Sequence, residues 1–456
     1  QFMRPELLQE SFFTTLQEFP ILAGRLYMET GGINAKIVVD RSAINMPEYC
    51  EVNSKVHFDE LETARFSWDA LPKELEQPGY VMRKGKDGIL KLASVQIARL
   101  DGNSGLVLLV SFAHVVVDTS GVVAFLNRWA HLFQVNERGN SDSASTISTE
   151  SFWHGRECLY DSLPDEGEPL DHATSEINET KSKISALFAE MTPETRSKMM
   201  LAIITFFPAQ SHIFRLSSRK LSALKNDILA LKTSDGYAIS DNDVITALLY
   251  MVVLQCNKGH GSIAPDETEP SRSCCWPKSP KNSNKDEQRL VTIAVDCRYR
   301  LGKPDLAKFT GNGILSHILA FPLENIRAEI DPMSLAKCAL QVRQGINRIS
   351  PKYVRQFIDI GDSAPDCFQR LMANMMHVPT RFCVSSQSRM NFYGVDFGNG
   401  RPMWVSPPKM YVPGYASILP VPDSSGDRLV FLSVKKDIMA KVFCHPYWNS
   451  IAELVY

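Results

Sequence analysis

Residues Leu106 to Phe125, LVLLVSFAHVVVDTSGVVAF, constrain the fold more than any other stretch of this chain. An apolar run that reads as a buried strand ends on the imidazole of His114, with the carboxylate of Asp118 close behind. Small residues then lead into an amphipathic helix from Thr119 to Phe133, with Val122, Val123, Leu126, Trp129 and Phe133 on one broad face. Imidazole and carboxylate both cost free energy to desolvate unless something is bonded to them. Polar groups at the carboxyl end of a buried strand are a usual place for chemistry in an α/β protein. The residues alone leave a second reading open, a core histidine bonded to a carbonyl with Asp118 capping the helix.

The 456 residues suffice for two or three domains. A hydrophobic share of 44% with 22% charged residues is that of a soluble globular chain rather than a disordered one. The net charge of −2 leaves no basic excess to neutralise phosphates, which argues against a nucleic-acid partner. Apolar runs near Leu106–Ala113, Met199–Phe207 and Ala247–Leu254 fall short of the roughly 18 to 20 residues of a membrane span. Ten cysteines without CxxC pairs suggest neither a zinc ribbon nor a disulfide framework, so no metal is expected and the expected setting is reducing and cytoplasmic. No signal peptide is visible, although the chain begins just before a helix.

Helical spacing of Leu8, Phe12 and Leu16 predicts a helix over residues 5–17. PILAGRLYM then reads as extended, KIVVD at Lys36 as a strand, and residues 40–90 as irregular text anchored by Phe58 and Trp68. Two strands between Leu90 and Ala113 flank DGNSG, a turn of residues that tolerate positive φ, and this hairpin delivers His114. Residues 139–151 and 161–179 read as exposed loops, and Thr192-Pro193-Glu194 as the start of a helical stretch that crosses between two halves. Further on, strands are expected at Ile213–Leu216, Leu290–Val295, Ile314–Phe321, Phe382–Ser386 and Leu429–Val434. Helices are expected over Ser217–Leu231, from the capping-box pattern Ser240–Asp243 through Gln255, over Met333–Ile349 and Lys352–Asp359, and at the tail, with a long loop at 257–288. The resulting class is α/β with mixed sheets, in two halves that each mix hairpins and helices.

Five places line up with one family. His114-Val-Val-Val-Asp118 matches an HxxxD signature, and Asp396-Phe397-Gly398-Asn399-Gly400 matches DFGWG except at Asn399. Val295-Asp296-Cys297-Arg298 with Arg300, Leu301, Gly311 and Asn312 is similar to VDxRxRL followed by GN. Phe19 to Leu26 is similar to an FxPLAGRL segment, and Ser385-Ser386 stands where SSW or TSW is usual, with Gln387 at the tryptophan. Together these resemble the BAHD acyltransferases, and more closely the fungal branch that includes the trichothecene acetyltransferases, from about residue 8 to the carboxyl end.

That resemblance implies two domains, each like chloramphenicol acetyltransferase, with a tunnel between them. Their expected bounds are 1–190 and 213–456, joined by a crossover at 191–212. It implies acyl-CoA as co-substrate, a small-molecule alcohol or amine of secondary metabolism as acceptor, no covalent enzyme intermediate, and a monomer. An imidazole of ordinary pKa, about 6.5, is largely neutral at pH 7 and suited to take the acceptor's proton. His114 is the expected base, and the imidazolium can return that proton to the CoA thiolate. Asp118 is expected to point away from substrate and pair with Arg298, beside Asp296, to hold the loop. Asp396, Phe397 and Gly398 are expected on the CoA-side wall with Asn312 and Gly313, which also read as a simple turn. Asn399 reads either as an oxyanion donor through its amide or as a turn residue, and Ser385 either as a bond to the acceptor or as a structural serine. Gly121 is expected to supply backbone freedom that Thr119 does not. His131 reads as a surface or packing residue, His317 and His377 have no visible partner, and Met372, Met375 and Met376 read as core or acceptor pocket.

Two rivals share the HxxxD pattern. The condensation domains of peptide synthetases usually carry a second His where this chain has Ala113. A catalytically silent ligand-binding relative would not need His114 and Asp118 together.

Overall fold

Pro5 opens helix α1 (Pro5–Glu18) at the first helical turn, where its missing N–H costs nothing, and Leu8, Phe12 and Leu16 are buried on one face. The structure is a computed structural model, described for residues 2–28, 35–75, 85, 87–139, 152–168, 209–231, 238–257, 289–321, 330–363, 381–410 and 413–456. The expected loops at 140–151 and 258–288, the expected crossover through 208, His377 and the three methionines lie outside those residues. The expected extension at PILAGRLYM begins instead as a 3-10 turn, Pro20–Ala23, before strand β1 (Arg25–Met28) pairs antiparallel with β2 (Ala35–Val38).

Residues 40–90 hold two elements that the sequence does not announce, β3 (Glu48–Asn53) and α2 (Phe58–Thr63). β3 runs parallel to β4 (Ala93–Arg99), which forms the expected hairpin with β5 (Leu106–Phe112). The turn uses left-handed backbone at Gly102 and Asn103, φ 61° and 57°. Every residue of β5 is half-buried, because the strand is at the edge of the three-stranded sheet β3-β4-β5. The expected two-sided burial of this strand is therefore corrected. Beyond His114 the chain turns into α3 (Thr119–Glu137), whose Phe125, Trp129 and Phe133 meet α1 and form an aromatic core with Phe12 and Phe19.

The remainder builds a mixed sheet of seven strands in the order β12-β6-β11-β10-β9-β7-β8. These are β6 (Ala209–Leu216), β7 (Arg289–Asp296), β8 (Ile314–Phe321), β9 (Arg381–Ser386), β10 (Tyr415–Leu419), β11 (Arg428–Lys435) and β12 (Ala452–Leu454). β6 starts four residues before its expected first residue. β9 lies parallel to both β7 and β10, and the other pairs are antiparallel. Helices α4 (Ser218–Ala230), α5 (Asp241–Asn257), α6 (Pro332–Asn347) and α8 (Lys436–Phe443) cover one face, with α7 (Pro351–Ser363) and α9 (Pro446–Ile451) beside them. Every residue of α5 from Asp243 to Val253 is buried, as expected of a helix apolar all round. The expected capping box is present: Asp243 accepts the Ser240 N–H at 2.7 Å, and Ser240 Oγ accepts the Asp243 N–H at 3.4 Å. No described helix is long and apolar enough to cross a membrane.

Candidate active site

The turn after β5 places His114 where three strand ends of the large sheet converge. β7 runs into Asp296 and Arg298, β8 begins just after Asn312, and β9 runs into Gln387. Gln387 Nε2 donates to Thr119 Oγ1 at 3.2 Å, tying the end of β9 to the first turn of α3. Residues far apart in sequence thus meet around one loop.

Asp118 is 2% exposed and uses both oxygens. Oδ1 accepts the Gly121 N–H at 3.2 Å and so caps α3. Oδ2 accepts from Arg298 Nη1 at 2.7 Å and from the Gly313 N–H at 2.9 Å. The cap and the ion pair, alternatives at the level of sequence, coexist. Arg298 is 4% exposed and also bonds Asp296 Oδ1 at 3.0 Å, the Phe309 carbonyl at 2.8 Å and the Gly311 carbonyl at 2.6 Å. Burial works to lower its pKa, but the carboxylates of Asp118 and Asp296 outweigh it and raise the guanidinium above its ordinary value. A buried pair is weak evidence for stability, but here the polar atoms of both side chains are bonded.

Gly121 does not act through backbone freedom. A Cβ there would stand 2.1 Å from the Thr310 carbonyl oxygen, so the helix approaches that strand-leading segment closely only with glycine. At Gly313 a Cβ would come within 2.8 Å of Arg298 Nη1.

Asn312 meets the loop that carries His114. Its Nδ2 donates to the His114 carbonyl at 2.7 Å and stands 3.2 Å from Nδ1 of the ring, while its Oδ1 accepts the Ile314 N–H at 3.2 Å. The outer two bonds fix which end of the amide is which. The shorter bond to the carbonyl holds the amide, and the hydrogen of the neutral ring sits on Nδ1 or on Nε2 according to tautomer. His114 is exposed, and no described residue bonds its Nε2. No sequence signal links positions 114 and 312.

The DFG stretch is at the other end of α3. Phe397 is buried against Trp129 and Phe133, with ring centroids 5.2 and 5.8 Å away, and Gln134 Nε2 donates to the Asp396 carbonyl at 2.6 Å. Asp396 Oδ1 accepts the N–H groups of Gly398 and Gly400 at 2.7 and 3.0 Å, folding a loop in which both glycines have positive φ, 92° and 101°. From Thr119 to Gln134 the helix rises about 22 Å. Asn399 is exposed on this loop, at the far end of α3 from His114, which favours the turn reading over the oxyanion reading. Around it Phe397 is core, Asp396 shapes its own loop, Gly398 lies against Gln134, and Gly313 is buried behind Asp118.

Ser385 is half-exposed on β9, beside Ser417 of β10. His131 is exposed on α3, and His317 is buried with Nδ1 2.8 Å from the Tyr353 hydroxyl. His154, which the sequence does not single out, clamps the site from behind. Its Nδ1 is 2.7 Å from Thr310 Oγ1 and its Nε2 donates to the Glu18 carbonyl at 2.7 Å, while Trp153 bridges to Phe309. Burial lowers its pKa, which the Glu18 bond partly offsets.

With this geometry in view, the profile of the Transferase family matches residues 1–447, and the chain belongs to that family, the BAHD acyltransferases. Among curated relatives, Agmatine hydroxycinnamoyltransferase 1 of Oryza sativa subsp. japonica is 33% identical over 144 residues, 31% of this chain and 31% of that protein. The chain spans 38% of the rice Tryptamine hydroxycinnamoyltransferase 2, so both rice matches cover well under half of the relative. O-acetyltransferase ptmV of Penicillium ochrochloron is 23% identical over 376 residues, 75% of this chain and 69% of that protein. Among solved structures, F. sporotrichioides TRI101 complexed with coenzyme A and T-2 superposes with a TM-score of 0.66 at 16% identity, covering 99% of this chain and 91% of that one. Vinorine synthase superposes with a TM-score of 0.58 at 15% identity, covering 98% and 85%. The mixed α/β fold of the family is thus the fold of this chain.

Proposed function

We propose that this protein transfers an acyl group from acyl-CoA to a hydroxyl or amine of a small molecule, with His114 as general base. The observation that carries this reading is an exposed imidazole with an unbonded Nε2, on a loop fixed by Asn312 and by the Asp118–Arg298 pair. The acceptor O–H or N–H gives its proton to Nε2 as its lone pair attacks the thioester carbonyl. The tetrahedral intermediate then collapses, the C–S bond breaks, and the imidazolium protonates the departing thiolate. Proton uptake at Nε2 goes with the ring hydrogen at Nδ1, so Asn312 then holds only the His114 carbonyl. General base catalysis of this kind is worth roughly 10²–10⁴-fold.

In this reading residues 1–190 and 213–456 are the two halves, joined by 191–212, and donor and acceptor reach His114 from opposite sides. Acetyl is the favoured acyl group, because a relative matched over 69% of its length is named an O-acetyltransferase. The rice relatives named for agmatine and tryptamine keep amines among the acceptors to be tried. Coenzyme A in the solved neighbour supports acyl-CoA as the donor. The test is free-thiol release from acetyl-CoA and hydroxycinnamoyl-CoA against a panel of alcohols and amines, with product mass. Acceptor-dependent thiol release with a matching acylated product is expected; no thiol with any pair would refute the reading.

A further inference from the structure

Strands β1 and β2 make a sheet of their own, and among the described residues β2 pairs with β1 alone. The hairpin is nonetheless held against the body of the protein. Leu26 and Ile37, opposite each other in register, pack on the aromatic core of α1 and α3, and Asn45 Nδ2 donates to the Gly24 carbonyl at 2.8 Å. The outward edge of β2 is thus a fixed row of backbone donors and acceptors rather than a loose end. Such an edge is a template for another strand, and chains usually blunt it with lysine, proline or a bulge.

The charges on this edge do not blunt it in that way. The strand and its continuation read Lys36-Ile37-Val38-Val39-Asp40. Strand side chains alternate, so Lys36, Val38 and Asp40 share the solvent face while Ile37 turns to the core. Val38 and Val39 are each 44% exposed, apolar surface that nothing described covers. Lys36 and Asp40 stand at equal distances on either side of Val38 and are opposite in sign. Antiparallel pairing of this strand with itself about Val38 sets Lys36 of each copy across from Asp40 of the other. It also sets Ile37 across from Val39, and Val38 across from Val38. Parallel pairing in register would set Lys36 beside Lys36, and an antiparallel slip by two residues would set a charge against Val38. Opposite charges across a strand pair stabilise it and like charges oppose it, so the sequence favours one register. Asp40 Oδ1 accepts the Ser42 N–H at 2.8 Å and the Ser42 hydroxyl at 2.7 Å, which orients the carboxylate beforehand, and the lysine ammonium carries three donors.

We propose that β2 is the seat of a symmetric dimer, in which a second copy of this chain adds its β2 antiparallel about Val38 and the two hairpins become one sheet of four strands. The interface is isologous, as a two-fold axis at Val38 requires. Tyr27, across from Lys36 on the same face and 50% exposed, adds apolar area beside the charge pair. One short strand a side remains well below the roughly 800 Å² per partner of a tight complex, so the dimer is weak and reversible.

Sedimentation velocity of the full chain over a wide range of protein concentration tests this without acyl-CoA or acceptor, so its result is independent of the acyl-transfer reading. The wild type is expected to pass from monomer to dimer as concentration rises. Lys36→Asp and Asp40→Lys each set like charges at both ends of the strand pair. Each is expected to weaken dimerisation about tenfold or more, with the thermal midpoint of the dilute protein retained. The double variant Lys36→Asp/Asp40→Lys restores opposite charges and should recover the dimer. An equimolar mixture of the two single variants should form a heterodimer, since one then carries two aspartates and the other two lysines at these positions. A wild type that stays monomeric, as the family resemblance implies, would overturn the proposal. So would a dimer that either single variant keeps at wild-type strength, or one that neither the double variant nor the mixture recovers.

Discussion

Asp118 divides its two oxygens between a helix cap and a buried guanidinium, and the cost of losing it follows from that division. Asp118→Ala strands the charge of Arg298 on Asp296 alone and uncaps α3, so it should destabilise the protein by about 3–5 kcal/mol. Arg298→Met should cost a similar amount by leaving Asp118 buried and unpaired. Because one interaction is lost in both, the double variant should fall short of the sum by about 1–3 kcal/mol in urea melts. Additive losses would mean the two side chains are independent and the loop is held otherwise. This pair was legible only through the family pattern, since residue types alone leave Asp118 as a helix cap. The Asn312 contact was not, because a 198-residue separation leaves no local trace. At Asn399 the motif position leaves an oxyanion donor and a turn residue open, and the length of α3 favours the turn.

The β4–β5 hairpin and α3 could be read directly, because apolar alternation, a turn of permissive residues and a 3.6-residue stripe all agree over one continuous stretch. β3 and β10 could not. β3 is EYCEVN, charged at the positions where an isolated strand would want apolar groups, and it is ordered by pairing with β4, more than 40 residues on. Strand propensity is set by such neighbours more than by the residues themselves. β5 shows the converse: an aliphatic run promised two buried faces, yet an edge position leaves it half-covered. At Gly121 the element scale also explains a residue. The requirement comes from the approach of Thr310 to α3, which no reading of the helix alone contains.

Across the described residues the N-terminal and C-terminal portions are joined by aromatic packing and by a polar clamp at His154. Phe397 belongs to the aromatic core of α1 and α3, Trp68 packs on Phe431 of the large sheet, and His154 joins the Glu18 carbonyl to Thr310. Burial holds the His154 pKa below its ordinary 6.5. The unfolded chain therefore takes up this proton first as the pH falls, so the stability His154 supports is present above about pH 6.5 and declines on acidification. Thermal midpoints should drop between pH 7 and 5.5, and His154→Gln should flatten that drop. His212 and His445, also depressed by burial, keep it from vanishing. An unaltered pH profile in the variant would show that His154 is not the titrating clamp.

The site itself stands or falls on the imidazole at the end of β5. Its ring is exposed, so truncating it opens no core cavity and the fold should survive. The decisive measurement is steady-state thiol release from acyl-CoA by His114→Ala, using the best acceptor of the panel and matched thermal midpoints. A fall in kcat of about 10²–10⁴-fold with the midpoint retained is the predicted result. A folded variant that turns over within a few-fold of the wild type would contradict it, and the proton would have to be taken elsewhere.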